Sequence, residues 1–143
     1  MRARRIFVLA LAMVGFAGGF GVAMAAMSPE ELQALGAAER WLVPVDAGRS
    51  ANAYAMAAAE FKSSVSRDEW GAGMRDLRKP FGRVVLRKAE KLAYTTPDPK
   101  GEPGEKIVIL FDTRFGANRK AEEEVTLVRE KDRIWRVTGN YIR

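Results

Sequence analysis

Hydrophobic and polar positions change rhythm once along this chain. From Ser28 to Leu77 the apolar residues recur at helical spacing, and after Gly82 they alternate as in strands. Ser28-Pro29-Glu30-Glu31 has the form of a capping box with proline at the first helical position, where its missing N–H is harmless. Leu32, Leu35, Leu42 and Val45 form the stripe of this first helix, with Ala38 and Trp41 beside it. Pro44 removes a backbone donor and crowds the carbonyl of Arg40, so the helix is expected to end or kink near Leu42. Gly48 then permits the turn. Ser50 or Asn52 caps a second helix running to about Ser64, with Tyr54, Ala57, Ala58, Phe61 and Val65 on one side. Ser66-Arg67-Asp68-Glu69 is a second capping box, and Trp70, Met74 and Leu77 share the face of a third helix. Lys79-Pro80-Phe81-Gly82 ends it, because the residue before a proline disfavours helical geometry.

In the strand region, Val84, Leu86, Leu92 and Tyr94 fall on one parity. Lys88 and Glu90 interrupt that face, which predicts a bend or bulge midway. Pro97 to Gly104 is a turn-rich loop. In "EKIVILFDTRF", Ile107, Ile109, Phe111 and Phe115 take one parity and Val108 and Leu110 the other, as in a central strand. "AEEEVTLVRE" and the closing segment then pair as a hairpin. Val125 and Leu127 must face the same way as Trp135 and Val137, so paired residue numbers sum to an even number. Only an odd loop satisfies this, either Glu130 to Asp132 or Lys131 to Arg133. The expected fold is α+β: three N-terminal helices packed on a curved four-stranded antiparallel sheet, whose outer face carries Thr126, Arg136 and Thr138.

The first 25 residues read as a signal peptide. "MRARR" is a basic n-region, Ile6 to Ala25 is apolar and uncharged, and Ala23-Met24-Ala25 has the small-x-small form of a cleavage site. Cleavage follows Ala25, or Ala26 as the near alternative, leaving a single domain from residue 26 to 143. The rival reading is an uncleaved inner-membrane anchor over residues 6–27. Either way the arginine-rich end stays inside and the domain is exported, and an exported chain without cysteine points to a periplasm.

Composition then narrows the chemistry. Cysteine and histidine are both absent, which excludes disulfides, thiolate nucleophiles, Ser-His-Asp hydrolysis, zinc fingers and His-ligated metals. No cofactor and no metal are expected. The formal charge is +6, but Arg2, Arg4 and Arg5 contribute three of those charges, so the excess elsewhere is too mild for a nucleic-acid stripe. The basic stretch Arg75, Arg78, Lys79, Arg83, Arg87, Lys88 and Lys91 is diluted by Asp76 and Glu90 and reads as a solvated surface.

Several segments carry a family likeness. Trp41 and Asp46 in "AERWLVPVDAG", then "EWGAGMRDLRKPFGRVVLR", "GEPGEKIVILFDTRF" and "WRVTGNYIR", resemble the domain of unknown function 4019, a family of small exported bacterial proteins. The resemblance implies a cystatin-like or nuclear-transport-factor-2-like architecture, a helical layer against a curved sheet, and brings no activity, substrate or catalytic residue. Two positions depart from its pattern: Asp132-Arg133 stands where Asp-Gly is common, which implies a left-handed Arg133 or a shifted loop, and Asn140 replaces an aromatic.

The candidate pocket or buried polar cluster comprises Asp46, Tyr54, Trp70, Arg87, Tyr94 and Asp112. Asp46, against a core, is either a base with a raised pKa or the partner of Arg87 or Arg78, and the ion pair is the expected reading. Trp41, Tyr54, Trp70 and Trp135 lie on apolar faces and read as core rather than pocket lining. Asp112 with Tyr94 is the one carboxylate–phenol pair that proton abstraction would use, on fold analogy alone. Among Glu122, Glu123 and Glu124, alternation sends Glu123 to the opposite face, and pairing with Arg136 is expected. The sequence therefore favours an exported, non-enzymatic module for a small ligand or an envelope partner. The alternative is a cofactor-free periplasmic enzyme using carboxylate and tyrosine chemistry.

Overall fold

A computed structural model describes residues 26–95 and 105–143. The expected signal peptide, residues 1–25, and the loop from Pro97 to Gly104 lie outside the described residues.

Among the described residues, four helices precede the sheet rather than the three expected. α1 is Pro29–Asp46, α2 Ser50–Met56, α3 Ala59–Ser64 and α4 Arg67–Arg78. Both capping boxes form: Ser28 Oγ accepts from the Glu31 amide at 3.2 Å, Ser66 Oγ from that of Glu69 at 3.3 Å, and each glutamate accepts in return. Pro44 does not end α1, which continues to Asp46. Proline forfeits one bond, to Arg40, so near the helix end the loss is small and burial of Pro44 and Val45 offsets it. The true stop is at Gly48, with φ +72°, where Arg49 N donates to Pro44 O at 2.8 Å and Gly48 N to Val45 O at 3.1 Å.

The expected long second helix breaks at Ala57 and Ala58, which are extended and buried. The Ala58 amide donates to the Val137 carbonyl at 2.8 Å, so it serves the sheet edge rather than a helix. Arg49, not Ser50 or Asn52, is the N-cap of α2 and supplies no side-chain bond.

β1 (Val84–Thr95), β2 (Lys106–Phe115), β3 (Arg119–Arg129) and β4 (Trp135–Ile142) form one antiparallel sheet in the order β1-β2-β3-β4. β1 carries two register shifts, between Val84 and Leu86 and between Ala89 and Lys91. Each flips the parity, so Val84, Arg87, Ala89 and Leu92 are the covered positions. Leu86, expected inside, is 56% exposed for that reason. Between β3 and β4 the loop is Lys131 to Arg133: Glu130 N donates to Ile134 O at 3.1 Å and Arg133 N to Glu130 O at 2.8 Å. Arg133 is left-handed, φ +66°, as a three-residue hairpin with a type I turn requires.

The inner face holds two apolar clusters. The larger joins Ala34, Ala38, Trp41, Leu42 and Val45 of α1 to Ile107, Ile109, Phe111, Val125, Leu127, Trp135 and Val137. The smaller joins Phe115, Ala121 and Ile142, with Leu77, Phe81 and Val84 against them. Along three strands a polar residue separates them: Arg87 between Val84 and Ala89, Thr113 between Phe115 and Phe111, Glu123 between Ala121 and Val125. A polar row crosses the core.

Candidate functional site

The polar row is completed from the helices. Asp46 is the last residue of α1, and Arg78 the last of α4. The first register shift of β1 turns Arg87 inward, and strand alternation buries Glu123. Glu123 is fully buried, the Arg78 and Arg87 side chains are 14% and 13% exposed, and that of Asp46, on the solvent side, is 27% exposed.

Two arginines and two carboxylates close into a neutral quartet. Arg87 Nε donates to Glu123 Oε1 at 2.9 Å, with Nη2 2.8 Å from the same oxygen as an ion-pair contact, and its Nη1 and Nη2 donate to Asp46 Oδ2 and Oδ1 at 2.6 and 2.9 Å. Arg78 donates from Nη1 to Asp46 Oδ1 at 2.6 Å and from Nη2 to Glu123 Oε2 at 2.9 Å. All four carboxylate oxygens are therefore satisfied. Burial opposes the charge of Arg87, but the hydrogen bond to Asp46 and the fields of Glu123 and Asp46 outweigh it, holding the guanidinium above its ordinary range. The planar fork of arginine makes this geometry possible, and a lysine ammonium could not span both acids. Chemically the quartet is a clamp: it ties the C-terminal ends of α1 and α4 to β1 and β3. Proton abstraction by Asp46 would discharge the carboxylate that both arginines are paired with.

Residues 37–140 match a family described as protein of unknown function, DUF4019. The chain belongs to the DUF4019 family. No curated protein matches it. The span shared with DUF4019 proteins includes all four members of the quartet.

Of the six candidates in this DUF4019 domain, Asp46 and Arg87 meet directly, with Arg78 as anticipated. Tyr54 and Trp70 meet elsewhere. Trp70 sits among Trp41, Phe61 and Tyr54, with centroids 5.8, 5.8 and 6.3 Å away, and packs Phe61 edge-on at 87°. The Tyr54 hydroxyl donates to the Val65 carbonyl at 2.7 Å, with that of Lys62 at 3.0 Å, and the Trp41 indole donates to Ala53 O at 3.0 Å. These rings staple the helices to one another. Tyr94 and Asp112 do not meet: Tyr94 pairs with Ile107, whereas Asp112 pairs with Lys88 and Glu122. Asp112 stands between buried Phe111 and Thr113, so alternation turns it to the outer face, away from the parity of Ile107. There it borders a shallow groove of about 390 Å³, with Glu90, Lys91, Leu110 and Glu122.

The site residue missed from sequence is Glu123. Its parity, shared with Ala121, Val125 and Leu127, was visible, but the arginines that neutralise it come from distant segments. The pairing expected with Arg136 is replaced: Arg136 donates to Glu130 at 2.6 Å and to Asp132 at 2.9 and 2.8 Å. No group of three or more acidic side chains is placed to hold a metal among the described residues.

Proposed function

We propose that this DUF4019 domain is an exported, non-enzymatic binding module working in the periplasm on a small ligand or an envelope component. The observation that carries the reading is the quartet. Asp46 and Glu123, the acids set against the core, are spent on Arg78 and Arg87 and serve the scaffold. The basic n-region, the apolar run from Ile6 and the small-x-small site support export. Uncleaved, the same segment is an inner-membrane anchor. A helical layer over a four-stranded antiparallel meander supports the cystatin-like or nuclear-transport-factor-2-like reading of the architecture.

Stability measurements separate clamp from chemistry. Glu123→Gln leaves two buried guanidiniums short of a counter-charge and is expected to lower unfolding free energy by about 3–5 kcal/mol. Asp46→Asn, at the more solvated end, should cost about 1–3 kcal/mol. Urea denaturation checks both. If Asp46→Asn is as stable as the parent, the clamp reading fails and Asp46 becomes a candidate for acid–base work.

A further inference from the structure

We propose that the groove between α1 and the β3–β4 hairpin is a binding site for a small organic carboxylate with an apolar body, an assignment that rests on the binding-module reading and gives it a place and a ligand class. The groove, of about 230 Å³, is lined by Gln33, Ala37, Arg40, Arg133, Ile134 and Trp135.

Two observations converge on it. Arg40 and Arg133 line it together, and no carboxylate pairs with either among the described residues. Arg40 is folded back along its own helix, its Nη1 only 3.2 Å from where a Cβ on Gly36 would lie, so a glycine one turn earlier leaves room for the guanidinium. Next, Arg133 occupies a left-handed turn position that glycine adopts without strain. A bulky cation is held there against its backbone preference, on the rim of this groove. The Trp135 ring lines the groove while its indole Nε1 is closed off from solvent and has no acceptor, so its signal reports on the site through the ring.

The lining defines the ligand. Two guanidiniums offer forked N–H donors that match a planar carboxylate, and the Gln33 amide can take a further acceptor atom. Ala37, Ile134 and the Trp135 ring supply apolar surface for a short tail. The volume lies below the roughly 300–1,000 Å³ of drug-sized pockets, so the ligand is small.

The test is a titration of ¹⁵N-labelled protein, purified as the cell processes it, with phenylacetate and separately with inorganic phosphate. The Trp135 indole cross-peak is expected to move saturably with phenylacetate, while those of Trp41 and Trp70 stay in place. Arg133→Gly should raise the unfolding midpoint, because glycine accepts the turn, and weaken binding about tenfold by removing a charge-assisted contact. Arg40→Gln should weaken it similarly. A Trp135 peak that stays fixed, or an affinity unchanged in both variants, overturns the site. Equal shifts with phosphate overturn the carboxylate assignment in favour of plain anion attraction. Shifts confined to the outer groove beside Asp112 overturn this site yet leave the binding-module reading standing.

Discussion

Thr113 shows how much of this interior is set by single side chains. It is fully buried on β2, between the two apolar clusters, and its Oγ1 has no hydrogen-bond partner. Thr113→Val keeps the shape and removes the unmet polar atom, so it should stabilise the fold by about 1 kcal/mol, read from the urea midpoint. A loss of stability would mean that the hydroxyl serves the neighbouring quartet. Asp46 was legible as an ion-pair partner because a carboxylate one turn from Trp41 and Leu42 must be neutralised. Glu123 was legible only as to its face. Its partners lie 45 residues before it in Arg78 and 36 before it in Arg87, and no local pattern joins them. Trp135 and Val137 are buried, as their shared parity required.

The hairpin and the short helices hold each other in place. Glu130, next to the turn, accepts from the Ala59 amide at 2.7 Å and so caps α3, whose own N-cap, Ala58, cannot. The same carboxylate accepts from Arg136, which also binds Asp132 within the turn. The bond from Arg136, helped by that from the Ile134 amide, holds the Asp132 carboxyl below its ordinary value of 3.8. A depressed folded pKa means that the stabilising contribution is present above the unfolded value and is lost as pH falls through the folded one. An NMR titration of Asp132 should therefore show a midpoint below 3.8, and Arg136→Ala should return it upward. A midpoint at or above 3.8 in the parent would remove the pairing. The hairpin register next to the turn, Leu127 with Val137 and Arg129 with Trp135, was readable because parity permits only odd loops. A bulge between Thr126 and Leu127 sets Val125 opposite Asn140 instead, and parity did not show it. The division of the second helix was not readable either: "AYAMAAAEF" has every local reason to stay helical, and a backbone bond to Val137 from across the sheet overrides it.

Across the molecule, the two edges of the open sheet are treated differently. β4 is covered where the Ala57–Ala58 connector bonds it, while β1 stands at the other edge, broken by its two register shifts. No helix among the described residues is long and apolar enough to cross a membrane. The proposed export rests on the first 25 residues, and intact-mass analysis of a periplasmic fraction is expected to give a chain beginning at Ala26. A chain of full length in the inner membrane would instead establish the anchor. The α+β order, both capping boxes, the odd length of the hairpin loop, the inward residues of β2 and the burial of Val125, Leu127, Trp135 and Val137 followed from the sequence, because caps, periodicity and parity are local properties of consecutive residues. The quartet, the broken helix, the inward turn of Arg87 and the placing of Arg40 and Arg133 on one groove came from the folded chain alone. Each brings together groups from separate segments, and the energy of such a contact depends on where the backbone carries them, which no short stretch of sequence encodes.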